Sequence, residues 1–218
     1  MYRFLFLLFP ICLIACSKSA INRVATQQTT TSASAPKETA TTAKAAILAF
    51  QSELTAEYKN PDSSPLGEKA TEFTGHDFFP IDLTYRVEAT FEAYNQEAFF
   101  TMPTSGTKEA NYRKFGLLTF KIAGKTYQLT VYQNRELMRN PLYRNYLFLP
   151  FTDITNGDTT YGGGRYIDMS IPKEKTIILD FNQAYNPYCA YADGYSCPIP
   201  PAENDLDLAV EAGIMLKQ

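Results

Sequence analysis

The sequence predicts a mainly β domain, a single antiparallel sheet, barrel or sandwich, with an N-terminal helix and short helical segments. Three observations carry this prediction. Apolar and polar residues alternate with period two through 81–91 and 115–132, as half-buried strands require. Turn signals at Ala123-Gly124 and Asn156-Gly157 fall between apolar runs. Only one stretch, near residue 50, repeats with helical spacing.

That helix comes first. Ile47, Phe50, Leu54 and Tyr58 recur at intervals of three and four, with Gln51, Glu53 and Lys59 between them, and Asn60-Pro61 ends it. In 81–91 the period changes: Tyr85, Val87, Ala89 and Phe91 share one face, while Arg86, Glu88 and Thr90 share the other. The clearest hairpin spans 115–132. Leu118, Phe120 and Ile122 point inward on the way out, Tyr127, Leu129 and Val131 on the return. Further strands run through 146–151 and 176–181, and Pro150 argues that its strand lies at an edge or ends nearby. Asn186 as cap, Pro187 as first residue and Gly194 after the last turn predict a two-turn helix over 187–193.

The segments ahead of this domain read differently. Residues 1–15 combine Arg3 with an apolar run of twelve residues at 4–15. At about 1.5 Å per residue the run reaches about 18 Å, short of the roughly 30 Å hydrocarbon core, so it predicts a signal peptide rather than a span. Leu13-Ile14-Ala15-Cys16 resembles a bacterial lipobox, which implies a lipid on Cys16 and cleavage before it. Residues 16–43, rich in Thr, Ala, Ser, Gln and Lys, cannot bury enough apolar surface to offset ordering and predict a disordered tether. Residues 44–218 form the globular domain. The expected location is the cell envelope, lipid-anchored, with Ser17 favouring the outer membrane over the inner.

Charge and motifs exclude several functions. With 20 Lys and Arg against 23 Asp and Glu, the net charge is −3 and no basic patch stands out, so no nucleic-acid partner is expected. The chain has one histidine, His76, in a loop ahead of the strand at 81–91, which reads as a surface or satisfied residue. Gly162-Gly163-Gly164-Arg165 fits neither a P-loop nor a dinucleotide turn. It reads first as a bend needing positive φ, and second as bare backbone approached by a ligand with Arg165 offering a fork to an anion. The oxygen-rich 153–158 segment lacks EF-hand spacing and reads as a turn capped by its side chains. Neither a metal nor a cofactor is expected. Asp168 and Asp180, near Arg165, would serve as an acid/base pair or as a buried salt-bridge network, the network being favoured. Cys189 and Cys197 are the only cysteines beyond residue 16, and in an oxidising compartment they predict a disulfide.

Several motifs together resemble a known family. Residues 64–66 (SPL), 78–82 (FFPID), 161–168 (YGGGRYID), 179–191 (LDFNQAYNPYCAY) and 197–204 (CPIPPAEN) resemble bacterial proteins of domain of unknown function 1684, over residues 47–216. The resemblance implies no particular chemistry. It does point to Gly162, Gly164, Arg165, Asp168, Asp180, Asn182, Tyr185, Asn186, Glu203 and Asn204 as binding candidates, alongside Cys189 and Cys197. Family members often carry paired prolines where this chain has Pro187-Tyr188.

The sequence therefore leads to a binding module for a small molecule, peptide or glycan, with tyrosines 161, 166, 185, 188 and 191 as contact surfaces. Two alternatives stand beside it. One is a hydrolase using Asp168 or Asp180 as general base. The other is a structural envelope domain acting through protein contacts.

Overall fold

A computed structural model of the chain describes residues 39–216. The expected signal peptide, Cys16 and nearly all of the expected tether lie outside the described residues.

Helix α1 spans Ala40–Lys59, so residues 40–43 belong to the helix and not to the expected tether. The reason is local. The Thr39 hydroxyl accepts from the Thr42 N–H and Thr42 Oγ1 accepts from the Thr39 N–H, a reciprocal cap that satisfies orphan first-turn donors. Ala43 then sits one turn before Ile47, and both are buried. No helix among the described residues is long and apolar enough to cross a membrane.

Eight strands follow: β1 (Arg86–Ala93), β2 (Phe100–Met102), β3 (Ala110–Ile122), β4 (Lys125–Asn134), β5 (Tyr146–Asp153), β6 (Arg165–Ser170), β7 (Thr176–Asp180) and β8 (Asp205–Leu206). They form one sheet of order β6-β5-β4-β3-β1-β7, with β2 beside β3 and β8 parallel to β5. The sheet is otherwise antiparallel and curls into a half-barrel. The curl brings β6 and β7, at opposite ends of the order, to a shared cavity of about 240 Å³.

The expected hairpin is β3–β4. Ala123 and Gly124 both take positive φ (49° and 81°), the left-handed pair that matches strand twist in a two-residue turn. The strand expected from residue 81 starts only at Arg86. Asp82 accepts from the Thr84 N–H at 2.8 Å and winds Leu83–Tyr85 into a 3₁₀ turn.

Pro150 lies within β5, between β4 and β6 in the sheet order, rather than at an outer edge. Yet the β4–β5 ladder reduces to one pair, Tyr132 with Phe148. Beyond it the Asn204 side chain acts as a bridge: Nδ2 donates to the carbonyls of Thr130 (2.8 Å) and Pro150 (2.6 Å), and Oδ1 accepts from the Thr130 N–H (2.8 Å). A proline, which has no N–H to give the ladder, is tolerated where a side chain replaces the ladder.

Strands β4 to β6 are buried on both faces, by two separate clusters. Leu118, Phe120, Leu129, Val131, Leu147, Leu149, Phe151, Ile167, Leu179 and Phe181 build the main core. The alternate residues Tyr112, Tyr132, Phe148 and Tyr166, with Met102, build a smaller aromatic layer on the opposite face. The candidate site stands on this second layer.

Candidate functional site

A cavity of about 710 Å³ lies on the aromatic face of the sheet. Its floor comes from Tyr112 of β3, Tyr146 and Phe148 of β5, and Tyr166 and Asp168 of β6. Phe148 and Asp168 are register partners, and strand alternation places Tyr146, Phe148, Tyr166 and Asp168 on one side. One wall is α1, through Phe50, Glu53, Leu54, Glu57 and Tyr58. A second wall, touching α1 through Tyr188, is the 185–198 segment, through Tyr185, Pro187, Tyr188, Tyr195, Ser196, Cys197 and Pro198, and Leu137 and Tyr143 also line the cavity.

Local chemistry holds each wall. Tyr58 is buried and packs edge-on against His76, Tyr188 and Tyr191, with centroids 4.4, 6.0 and 4.9 Å away. Tyr191 and His76 Nδ1 also lie 3.2 Å apart, so His76 is a packed member of an aromatic cluster under α1. The segment 185–198 is tied by the Cys189–Cys197 disulfide. The expected two-turn helix shrinks to one 3₁₀ turn, Tyr188–Ala190. Asn186 does not cap it. Its Nδ2 turns inward to the Tyr191 hydroxyl (3.2 Å) and the Met215 carbonyl (3.4 Å). The Tyr166 hydroxyl donates to the Pro198 carbonyl and fastens the far end of the segment to β6.

Asp168 is the polar centre. Its Oδ1 accepts from Tyr146 (2.7 Å) and Tyr185 (2.6 Å). Its surface is open to the cavity, while the surrounding rings displace bulk water. Desolvation accordingly pushes its carboxyl above the ordinary range; the two phenol donors pull it back, and the nearby Glu57 charge adds to the rise. Glu57 in turn accepts from the Tyr188 hydroxyl at 3.0 Å. Burial, reinforced by Glu57, pushes the Tyr188 phenol up to about 12. Three carboxylates, Glu53, Glu57 and Asp168, line the cavity, and no lysine, arginine or histidine does.

Of the expected binding residues, Asp168 and Tyr185 meet here, together with the disulfide half Cys197. The others serve the fold. Arg165 is fully buried: Nη2 donates to Asp153 (2.8 Å) and to the Val210 carbonyl (2.8 Å), and Nη1 to the Ala212 carbonyl (2.6 Å). It offers no fork to an external anion. The 153–158 turn is closed by its own side chains, Asp153 Oδ1 accepting from Thr155 and Asn156 Oδ1 accepting from the Asp153 N–H. Gly164 takes φ +84°, and a Cβ there would stand 2.6 Å from the Phe151 carbonyl, so the glycine run is a bend that sets Arg165 inside. Gly162 lies exposed on that bend.

Asp180 and Asp168 do not meet at Arg165, although both line the cavity of about 240 Å³ between β6 and β7, where the neighbouring cation is Arg86. Asp180 pairs with Arg86 across the β1–β7 register at 2.7 Å and accepts from Asn182 Nδ2 at 2.8 Å. Asn182 also clasps both backbone groups of Asp82. This pairing matches the network reading of Asp180. Glu203 pairs with Lys114 (2.7 Å) and accepts from Tyr132 (2.8 Å), and Asn204 bridges β4 and β5.

Sequence reasoning missed Glu53 and Glu57, and it missed Tyr58, Tyr112, Tyr143, Tyr146 and Tyr195 as site residues. The available signal was the i, i+4 pair Glu53–Glu57 beside the apolar stripe of α1. Among the described residues no group of three or more His, Cys, Asp or Glu is placed to hold a metal.

Comparisons with other proteins agree with this architecture. A family model described as "Protein of unknown function (DUF1684)" matches residues 71–215. The solution NMR structure of an uncharacterized protein from Haloarcula marismortui superposes with a TM-score of 0.63 at 31% identity, covering 80% of this chain and 95% of the other. No curated protein matches.

Proposed function

Because the chain belongs to the DUF1684 family, whose description assigns no activity, we propose a function from its geometry: a binding module that holds a small organic molecule in the tyrosine-lined cavity. The observation that carries the reading is the cavity itself. Its volume falls in the range of small-molecule sites, about 300–1,000 Å³. Its lining is mostly aromatic and aliphatic, with few convergent polar groups centred on Asp168. Tyrosine supplies large contact area at low conformational cost and keeps a polar tip for orientation. The disulfide and the Asp168–Tyr146–Tyr185 hydrogen bonds hold the floor and one wall in advance of a ligand. Binding is favoured over hydrolysis because the hydroxyls nearest the carboxylate already donate to it.

The test is a fragment screen read by protein NMR, repeated on a Leu137→Trp variant that plugs the cavity. Fragments that perturb Tyr146, Tyr185 and Tyr188 in the natural protein and lose that effect in the variant support the site. Fragment binding that ignores the plug refutes it. The lipid on Cys16 belongs to the same proposal: it would anchor this module to an envelope membrane. Cys16→Ala would release the protein from the membrane fraction, and retention there would count against the anchor.

A further inference from the structure

We propose that the ligand of this cavity is a small organic cation carrying a substituted ammonium group. This proposal rests on the binding reading above and narrows it to a ligand class.

The wall chemistry selects for positive charge in two independent ways. Tyrosines 112, 146, 166, 185 and 188 surround one cavity, and aromatic rings attract an ammonium through their quadrupole. An alkylated ammonium is also weakly hydrated, so it gives up water for such walls at less cost than an inorganic ion. The fixed charge of the cavity is wholly negative, from Asp168 on the floor and Glu53 and Glu57 on the helix wall. An anion placed there would meet three carboxylates and no basic group.

The floor carboxylate has capacity to spare. Both phenol donors converge on Asp168 Oδ1, whereas Oδ2 takes no hydrogen bond among the described residues. Asp168 is exposed and lines the cavity. A cation seated between the rings would satisfy it and relieve its repulsion with Glu57, which now raises the Asp168 carboxyl. Sugars also stack on tyrosines, but they bring no charge to offset three acids.

The experiment uses choline and its uncharged carbon isostere, in which a tert-butyl group replaces the trimethylammonium. Both are titrated into the purified protein by NMR, with the Tyr146 and Tyr185 signals as readout. Choline is expected to bind about tenfold or more tightly than the isostere, a difference of about 1.4 kcal/mol. Asp168→Asn and, separately, Glu57→Gln are expected to weaken choline by a larger factor than the isostere, so that the preference for choline shrinks toward one. Glu57 is exposed on α1, so its variant keeps the test alive if the Asp168 variant misfolds. Equal binding of choline and isostere would overturn the cation proposal and leave the cavity reading standing. Fragments that bind the cavity while choline does not would do the same. Failure of every fragment and of choline would remove both.

Discussion

Arg165 is fully buried with Asp153, and both side chains have zero exposure. Its guanidinium is desolvated, which lowers its pKa, and the Asp153 charge and hydrogen bond offset only part of that drop. A buried pair of this kind contributes little over an apolar replacement, but losing one partner strands the other, at about 3–5 kcal/mol. Asp153→Ala and Arg165→Ala should each lower the unfolding free energy, read from urea titration, by an amount in that range, and the double variant should cost less than their sum. Asp168 behaves oppositely. Its folded pKa lies above its unfolded value, so its contribution favours the fold below the ordinary carboxylate range and is lost as pH rises through the folded pKa. Asp168→Asn removes that loss. The variant should gain melting temperature relative to the natural protein at neutral pH and not at acidic pH. A loss at neutral pH would show that the phenol–carboxylate bonds outweigh desolvation.

At the scale of elements, two connections carry the arrangement around β5. Asn204 takes the place of ladder hydrogen bonds beside Pro150, so Asn204→Ala leaves the Thr130 N–H and two carbonyls unpaired. Each buried unsatisfied group costs about 1–3 kcal/mol, and faster amide exchange at Thr130 would mark the opening. The disulfide closes an eight-residue separation beside the cavity wall. Cys189→Ser with Cys197→Ser should lower stability by about 2–3 kcal/mol. Much of this scale was legible in the sequence. The β3–β4 hairpin, the strands and the disulfide follow from alternation, turn residues and thiol count. The two-turn helix at 187–193 was not, because Asn186 spends its side chain on Tyr191 and Met215 instead of capping. The early start of α1 was missed because Thr39 and Thr42 look like tether composition until they are seen to bond each other.

Across the whole molecule, the sheet separates two functions onto two faces. The aliphatic face makes the core, and the tyrosine face, roofed by α1 and walled by 185–198, makes the cavity. Docking of α1 therefore links stability to the site. Tyr58 is its buried anchor against His76 and Tyr191. Tyr58→Ala should cost about 3–5 kcal/mol, in the range for large aromatic truncations, and should raise hydrogen exchange across α1 before the sheet strands.

By itself the sequence determined the fold class, the main strands, the inward residues of the hairpin and the disulfide, because each depends on spacing within a short stretch. It also marked Asp168 and Tyr185 through family motifs. Only the tertiary structure decided which polar residues face solvent space and which pay for the fold. Arg165, Asp180, Asn182 and Asn204 look like site chemistry in a linear motif, yet their partners come from β1, β4, β5 and the C-terminal segment and close around them. The cavity, in turn, draws on residues from 50 to 198, and no local pattern relates α1 to β6. Burial and pairing are properties of approach between distant segments, and those are set only when the chain packs.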